Sequence, residues 1–334
     1  MPVLHDLLDT WRPQGRMAGV AISLLLLLLV LTITTFVVSN EPEAFTVQAE
    51  QRGKEPIVGS ATVNAAVTIG ETLLGKTGGY ISNDVLPPFA FLDDMPNWEF
   101  GALVALRDVS AVMRNHYARS QSQSVEDPDL ARAEPQFNFQ NDSWLLPATE
   151  SEYRDGLAYL HAYRERLLDD NDANAQFFAR ADNLAAWLQV VEKRLGSLSQ
   201  RLSASVGQVR SNTNLANDPA AQQSTPAPGV VYESTPWLEV DDVFYEARGH
   251  VWALLHLFRA VEIDFRNSLE RKNAVASLQQ IIRELEEAQR PVSSPMVLNG
   301  SGFGWVANYS LTMANYVSRA NAAVIDLRAL LERG

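Results

Sequence analysis

Between Arg16 and Glu41 the chain carries no charged side chain, and Met17 to Val38 is almost wholly apolar, with an unbroken leucine run from Leu24 to Leu29. Few segments constrain a fold so strongly. The 22 residues from 17 to 38, at about 1.5 Å each in a helix, reach about 33 Å, enough for a hydrocarbon core of roughly 30 Å. A cleaved signal peptide is the competing reading. It needs an apolar stretch of about 7 to 15 residues ending at small side chains, whereas this run is longer and leaves through Val37-Val38-Ser39-Asn40-Glu41-Pro42. The expectation is an uncleaved single transmembrane helix.

Arg12 and Arg16 lie closer to the span than Arg52 and Lys54 beyond it. Basic residues stay on the cytoplasmic side, so residues 1–16 are expected as a cytoplasmic tail and the rest as a periplasmic domain on a bacterial inner membrane. In that tail Asp6 and Asp9 offset the two arginines, which assigns the whole net charge of −13 to the chain beyond residue 40. Such a surface repels phosphate backbones and anionic headgroups. Nucleic acid is thereby disfavoured as a partner, as is electrostatic adhesion to lipid. With no cysteine in the chain, disulfides, thiolate metal sites and a cysteine nucleophile are excluded.

The domain reads as all-α: a helical bundle with long irregular loops. A polar, proline-containing stalk (39–56) leads into helical region one (57–210), with helices expected over Ala61–Leu74 and from Trp98 to about Ser120. Residues 120–147 carry Pro128, Pro135 and Pro147 among aromatics and read as irregular. Thr149-Glu150-Ser151-Glu152 then has the form of a capping box opening a helix. Leu184, Leu188, Val191, Leu195, Leu198 and Leu202 alternate spacings of four and three, so another helix must cover that stripe. The stretch 211–236, rich in Asn, Ser, Thr, Ala, Gln and Pro, reads as a flexible linker. In region two (237–334) helical spacing from Val251 continues to about Gln289, where Pro291 and Pro295 stop it, and a final helix follows Gly304. The two regions are expected to pack together.

Chemistry is harder to find. Gly70, Gly75, Lys76 and Thr77 spell a Walker A string, but Thr-Gly-Gly-Tyr follows the lysine instead of a helix, and Asp93 and Asp94 come too soon for a crossover helix. The match reads as chance, with the glycines ending a helix. Gly300, Gly302 and Gly304 form a helix-entry loop whose amides suit a small anion or a partner's carboxylate. Glu246 and His250, one helical turn apart, are weak metal candidates, with a solvated i,i+4 pair as the plainer alternative. In the loop 80–100, Asp84, Asp93, Asp94 and Glu99 stand beside Tyr80, Phe91, Trp98 and Phe100, a mixture suited to glycan chemistry or to holding a partner. No cofactor is expected.

Gly78-Gly-Tyr-Ile-Ser-Asn-Asp-Val-Leu-Pro-Pro88, Met95-Pro-Asn-Trp-Glu-Phe-Gly101, the segment from Leu195 to Gly207, and Asn299-Gly-Ser-Gly-Phe-Gly304 resemble the uncharacterised bacterial domain-of-unknown-function family 2333 over nearly the whole chain. The resemblance implies a proteobacterial inner-membrane protein and carries no established activity. A non-enzymatic, membrane-anchored interaction or scaffold module is the leading expectation, with an envelope protein partner and a homo-oligomer possible. A carboxylate-dependent periplasmic hydrolase or glycan-binding protein, and a ligand-sensing domain working through a partner chain, are the alternatives.

Overall fold

A computed structural model describes residues 3–53, 55–120, 125–169, 174–211, 230–294 and 296–333. Lys54, Pro295 and most of the expected linker, residues 212–229, lie outside these. The described residues form ten α-helices and two short antiparallel strand pairs. The helices are α1 (Val3–Val38), α2 (Ser60–Gly75), α3 (Asp94–Val112), α4 (Leu130–Phe137), α5 (Thr149–Leu168), α6 (Ala181–Ser203), α7 (Val240–Asp264), α8 (Arg266–Arg271), α9 (Val275–Ala288) and α10 (Tyr309–Glu332). At the linker's edges, Gln208–Ser211 pairs with Val230–Glu233 as a short ladder. Val230–Glu233 thus forms a strand within the stretch expected as a flexible linker.

Buried side chains from both sides of residues 212–229 form one continuous core. Its centre is α7, where Ala247, Val251, Trp252, Leu255, Phe258 and Val261 are all buried. A helix covered on nearly every side needs neighbours all round, and α2, α3, α6, α9 and α10 supply them. The heptad-like stripe of α6 is buried throughout, with α10 packed along it. α3 crosses α7 at two glycines. A Cβ on Gly101 would collide with the Glu246 carbonyl, and one on Gly249 with the Trp98 carbonyl. Backbone therefore meets backbone there, with Trp98 and Trp252 tilted against each other at 5.1 Å beside the crossing.

The helices alternate in direction, which defines two ends. Val38, at the end of α1, lies against Gly78 just beyond α2. Lys76 at the close of α2 meets Glu99 near the start of α3. Asn83 donates to Glu150 at the start of α5. Arg201 near the end of α6 pairs with Glu246 near the start of α7, and Arg248 donates to the Ala288 carbonyl closing α9. Tyr309, opening α10, shares a cleft with Arg248. Hence α2, α6 and α9 finish, and α3, α5, α7 and α10 begin, at the end where α1 leaves the bundle. At the opposite end Asp264 accepts from the backbone and hydroxyl of Thr62 (both 2.7 Å), capping α2, and Lys272 reaches the Arg333 carbonyl.

Three local expectations are corrected. Residues 120–147 are not wholly irregular, because α4 forms with Pro135 inside it; Asp127 caps it by accepting from the amides of Asp129 and Leu130. The capping box at Thr149 does not form. Thr149 opens α5 but donates to the Gln140 and Ser143 carbonyls, and Glu150 takes Asn83. The long helical reading from Val251 to Gln289 breaks after Asp264, with Asn273 in a left-handed conformation (φ 51°), so α9 folds back antiparallel along α7.

Candidate functional site

The Walker-like string winds through α2 and stops at its C-terminus, where the exposed carbonyls carry the negative end of the helix dipole. Phosphate is held at the opposite, amide end of a helix. Gly70 sits within the helix against Leu157, and Thr77 follows the cap. The Lys76 ammonium lies 2.7 Å from Glu99 Oε1, with both side chains buried, and donates to the Gly79 carbonyl at 2.7 Å. Glu99 also accepts from the amides of Ile81 (2.9 Å) and Ser82 (2.8 Å) and from the Ser82 hydroxyl. Donors thus surround this carboxylate, and they pin the turn that carries Gly78, which is left-handed (φ 91°) and wedged under Val38. Lys76 and Glu99 together hold the seat for the end of α1.

The remaining carboxylates of the loop have different surroundings. Asp93 caps α3, accepting from the Asp94 amide. Burial, together with Asp93 and Asp241, pushes the Asp94 carboxyl up to about 7. Asp242, which accepts from Asn97 at 2.7 Å, is pushed up to about 6 by burial and then by Asp93 and Asp241. Asp84 faces Glu150 instead, and burial followed by that neighbour raises its pKa. The loop aromatics divide as well. Trp98 and Tyr80 belong to the core, the Tyr80 hydroxyl donating to the Asn141 carbonyl, whereas Phe91 is exposed. Phe100 lines a cleft of about 380 Å³ with Lys193, Arg194, Arg201, Glu246 and His250.

Glu246 and His250 do not form a solvated i,i+4 pair. Glu246 receives both Arg201 nitrogens, while His250 is buried, its Nδ1 3.1 Å from the Gly101 carbonyl, and burial lowers its pKa. Among the described residues no three metal-ligating side chains come together. The glycine loop closes on itself: the Gly300 amide donates to the Ala307 carbonyl, Asn308 donates to the Gly300 carbonyl, and the Asn308 side chain caps α10 through the Leu311 amide. Gly302 and Gly304 border a cleft of about 490 Å³ that extends to Asn308 and Arg319.

Sequence reading missed the segment behind α1. Residues 41–50 are a strap bound along α7. Glu41 receives a two-pronged ion pair from the buried Arg248, which also donates to the Ala288 and Arg290 carbonyls. Trp252 Nε1 donates to the Glu43 carbonyl. Phe45 stacks on His256 with ring centres 3.7 Å apart, and its amide donates to His256 Nε2 at 2.9 Å. That bond fixes the tautomer, so Nδ1 carries the proton and donates to the Trp252 carbonyl at 2.7 Å. Burial accordingly pushes the His256 imidazole down to about 4.

The family described as an uncharacterized protein conserved in bacteria (DUF2333) matches residues 11–334. The chain belongs to this family. No curated protein and no solved structure shows significant similarity to it. The DUF2333 match runs through most of α1 and the strap as well as the bundle, so helix, strap and bundle are parts of one family unit. A signal for the strap was present in this DUF2333 chain: Phe45-Thr-Val-Gln-Ala-Glu50 alternates apolar and polar residues with period two, the pattern of an extended segment lying on a core. Phe45, Val47 and Ala49 are the ones turned inward.

Proposed function

We propose that this protein is a membrane-anchored, non-enzymatic interaction module of the bacterial envelope, spanning the inner membrane once through α1 and holding its helical bundle on the periplasmic side. The clamp between span and bundle carries the reading. α1 has a stretch, Ala18–Val38, long and apolar enough to cross a bilayer, and its last residue is built into the core. Cleavage at a signal site would remove Val38 from its seat on Gly78, which favours a retained anchor. Beyond it the strap fixes the bundle through Arg248, Trp252 and His256, so the anchor presents one constant orientation of the bundle to other envelope components. Two of the four carboxylates that would serve a hydrolase are engaged elsewhere, Glu99 with Lys76 and the 79–82 turn and Asp93 at the cap of α3, which leaves Asp94 as the one to test.

Copurification tests the proposal. Full-length tagged protein extracted gently from membranes should bring down a stoichiometric envelope partner, identified by mass spectrometry, and should resist alkaline extraction. Recovery of the protein alone, combined with turnover of a cell-wall substrate that Asp94→Asn abolishes, would replace the proposal with the hydrolase.

A further inference from the structure

The large apolar side chains that remain exposed outside α1 are concentrated at one end of the bundle. Each loop at the end where α1 leaves the bundle carries them: Leu86 and Phe91 before α3, Leu146 before α5, Trp237 before α7, and Phe303 and Trp305 before α10. Phe303 and Trp305 reach relative exposures of 105% and 106%, Leu146 89% and Phe91 80%, so these rings and chains project free of the bundle. At the opposite end only Val58 and Val125 among the described residues are both large, apolar and exposed, and Ile325 lies on the flank of α10. Apolar tips this numerous mark a binding surface. Aromatic residues of this kind collect where a bilayer meets water.

The apolar span of α1 meets the bundle at this same end. Leu31, Thr34, Thr35 and Val38 are covered to different degrees, while Thr32, Ile33, Phe36 and Val37 between them are exposed. The spacing i, i+3, i+4, i+7 is one face of a helix. Of these residues only Val38 is built into the core, seated on Gly78, so the apolar span begins directly at the loops of this end. Charge sets the mode of attachment. Asp84, Asp93 and Glu239 in these loops, with Asp94, Asp241 and Asp242 in the first turns of α3 and α7, repel anionic headgroups, so contact must come from apolar and aromatic insertion.

We propose that this end of the bundle is seated in the interface of the bilayer that α1 crosses, with the tips at Leu86, Phe91, Leu146, Trp237, Phe303 and Trp305 inserted among headgroups and upper acyl chains. This rests on α1 spanning the membrane. It makes the protein a domain pressed onto lipid, with the flanks and the far end of the bundle left for partners.

The chain contains no cysteine, so single labels are unambiguous. Full-length variants Leu146→Cys, Phe303→Cys and Trp305→Cys, with Val125→Cys and Ile325→Cys as water-exposed controls and Leu28→Cys as a marker of the span, are labelled with an environment-sensitive fluorophore and reconstituted into phosphatidylcholine vesicles. Labels at 146, 303 and 305 should shift to the blue and be quenched by lipids spin-labelled high on the acyl chain, equally with and without added anionic lipid, while 125 and 325 stay in water. If 28 is quenched but 146, 303 and 305 read water, the seating is overturned and the anchor stands. If 28 also reads water, the anchor itself fails, and the seating with it. Labels shielded in native membranes yet wet in pure lipid would assign the loops to a protein partner and overturn the proposal.

Discussion

Lys76 and Glu99 owe their importance to being buried together. Removing one leaves the other charged and unsolvated, at a cost of about 3–5 kcal/mol. Lys76→Met should therefore lower the unfolding free energy by that much, read as a fall in the urea midpoint at unchanged slope, and adding Glu99→Gln should recover part of the loss; additive effects would show that the pair is not coupled. Protonation gives opposite signs at two places. Asp94 and Asp242, pushed up to about 7 and about 6, bind protons more tightly folded than unfolded, where Asp titrates near 3.9. Their contribution is fully present below about pH 4 and is lost as pH rises through 6 and 7. His256, pushed down to about 4, contributes fully above about 6.5, and that is lost as pH falls toward 4. Asp94→Asn should accordingly raise stability at pH 8 and leave it unchanged at pH 4, and unfolding curves at both pH values check this.

Among the elements, the α3–α7 crossing and the strap have the sharpest consequences. At Gly101 and Gly249 the added Cβ would meet backbone carbonyls, which cannot swing aside as a side chain does. Overpacking in a core costs about 1–3 kcal/mol, and Gly249→Ala should reach the top of that range or beyond, while Gly196→Ala, whose Cβ meets only the Asn321 side chain at 3.6 Å, should be tolerated. Phe45→Ala removes the ring stacked on His256 and should raise amide exchange over residues 41–50 well before the bundle unfolds. Uniform exchange across strap and core would show that the strap is not a separate unit. The sequence carried part of this level. The α6 stripe was legible because a heptad-like pattern reports directly on a buried face, whereas the glycines of α3 and α7 gave no sign of facing each other, since their meeting joins residues far apart in the chain.

For the whole molecule, loop tips that project free of the bundle predict that changes on them leave folding intact. Phe303→Ser and Trp305→Ser should alter detergent-solubilised stability by no more than about 0.5 kcal/mol, as surface substitutions usually do; a larger loss would mean that the loop is packed in solution. The charge-free helix, the all-α class and the acidic surface were all visible beforehand. The candidate site was not. Tyr80 and Trp98 looked like ligand- or partner-binding aromatics and lie in the core, Glu99, a weak catalytic candidate, is a buried ion-pair partner, and the strap read as a polar, proline-containing stalk.

What the sequence by itself determined is the set of properties that short-range pattern encodes. A run without charge selects a helix that can cross lipid, three-four spacing selects buried helical faces, and the absence of cysteine removes whole classes of chemistry. Tertiary structure alone decided which end of the bundle meets α1, that Lys76 meets Glu99 instead of a phosphate, and that Glu41, Phe45 and His256 bind the strap down. Each of these depends on residues brought together across long stretches of chain, where the packing of whole helices, and no local preference, chooses the neighbours.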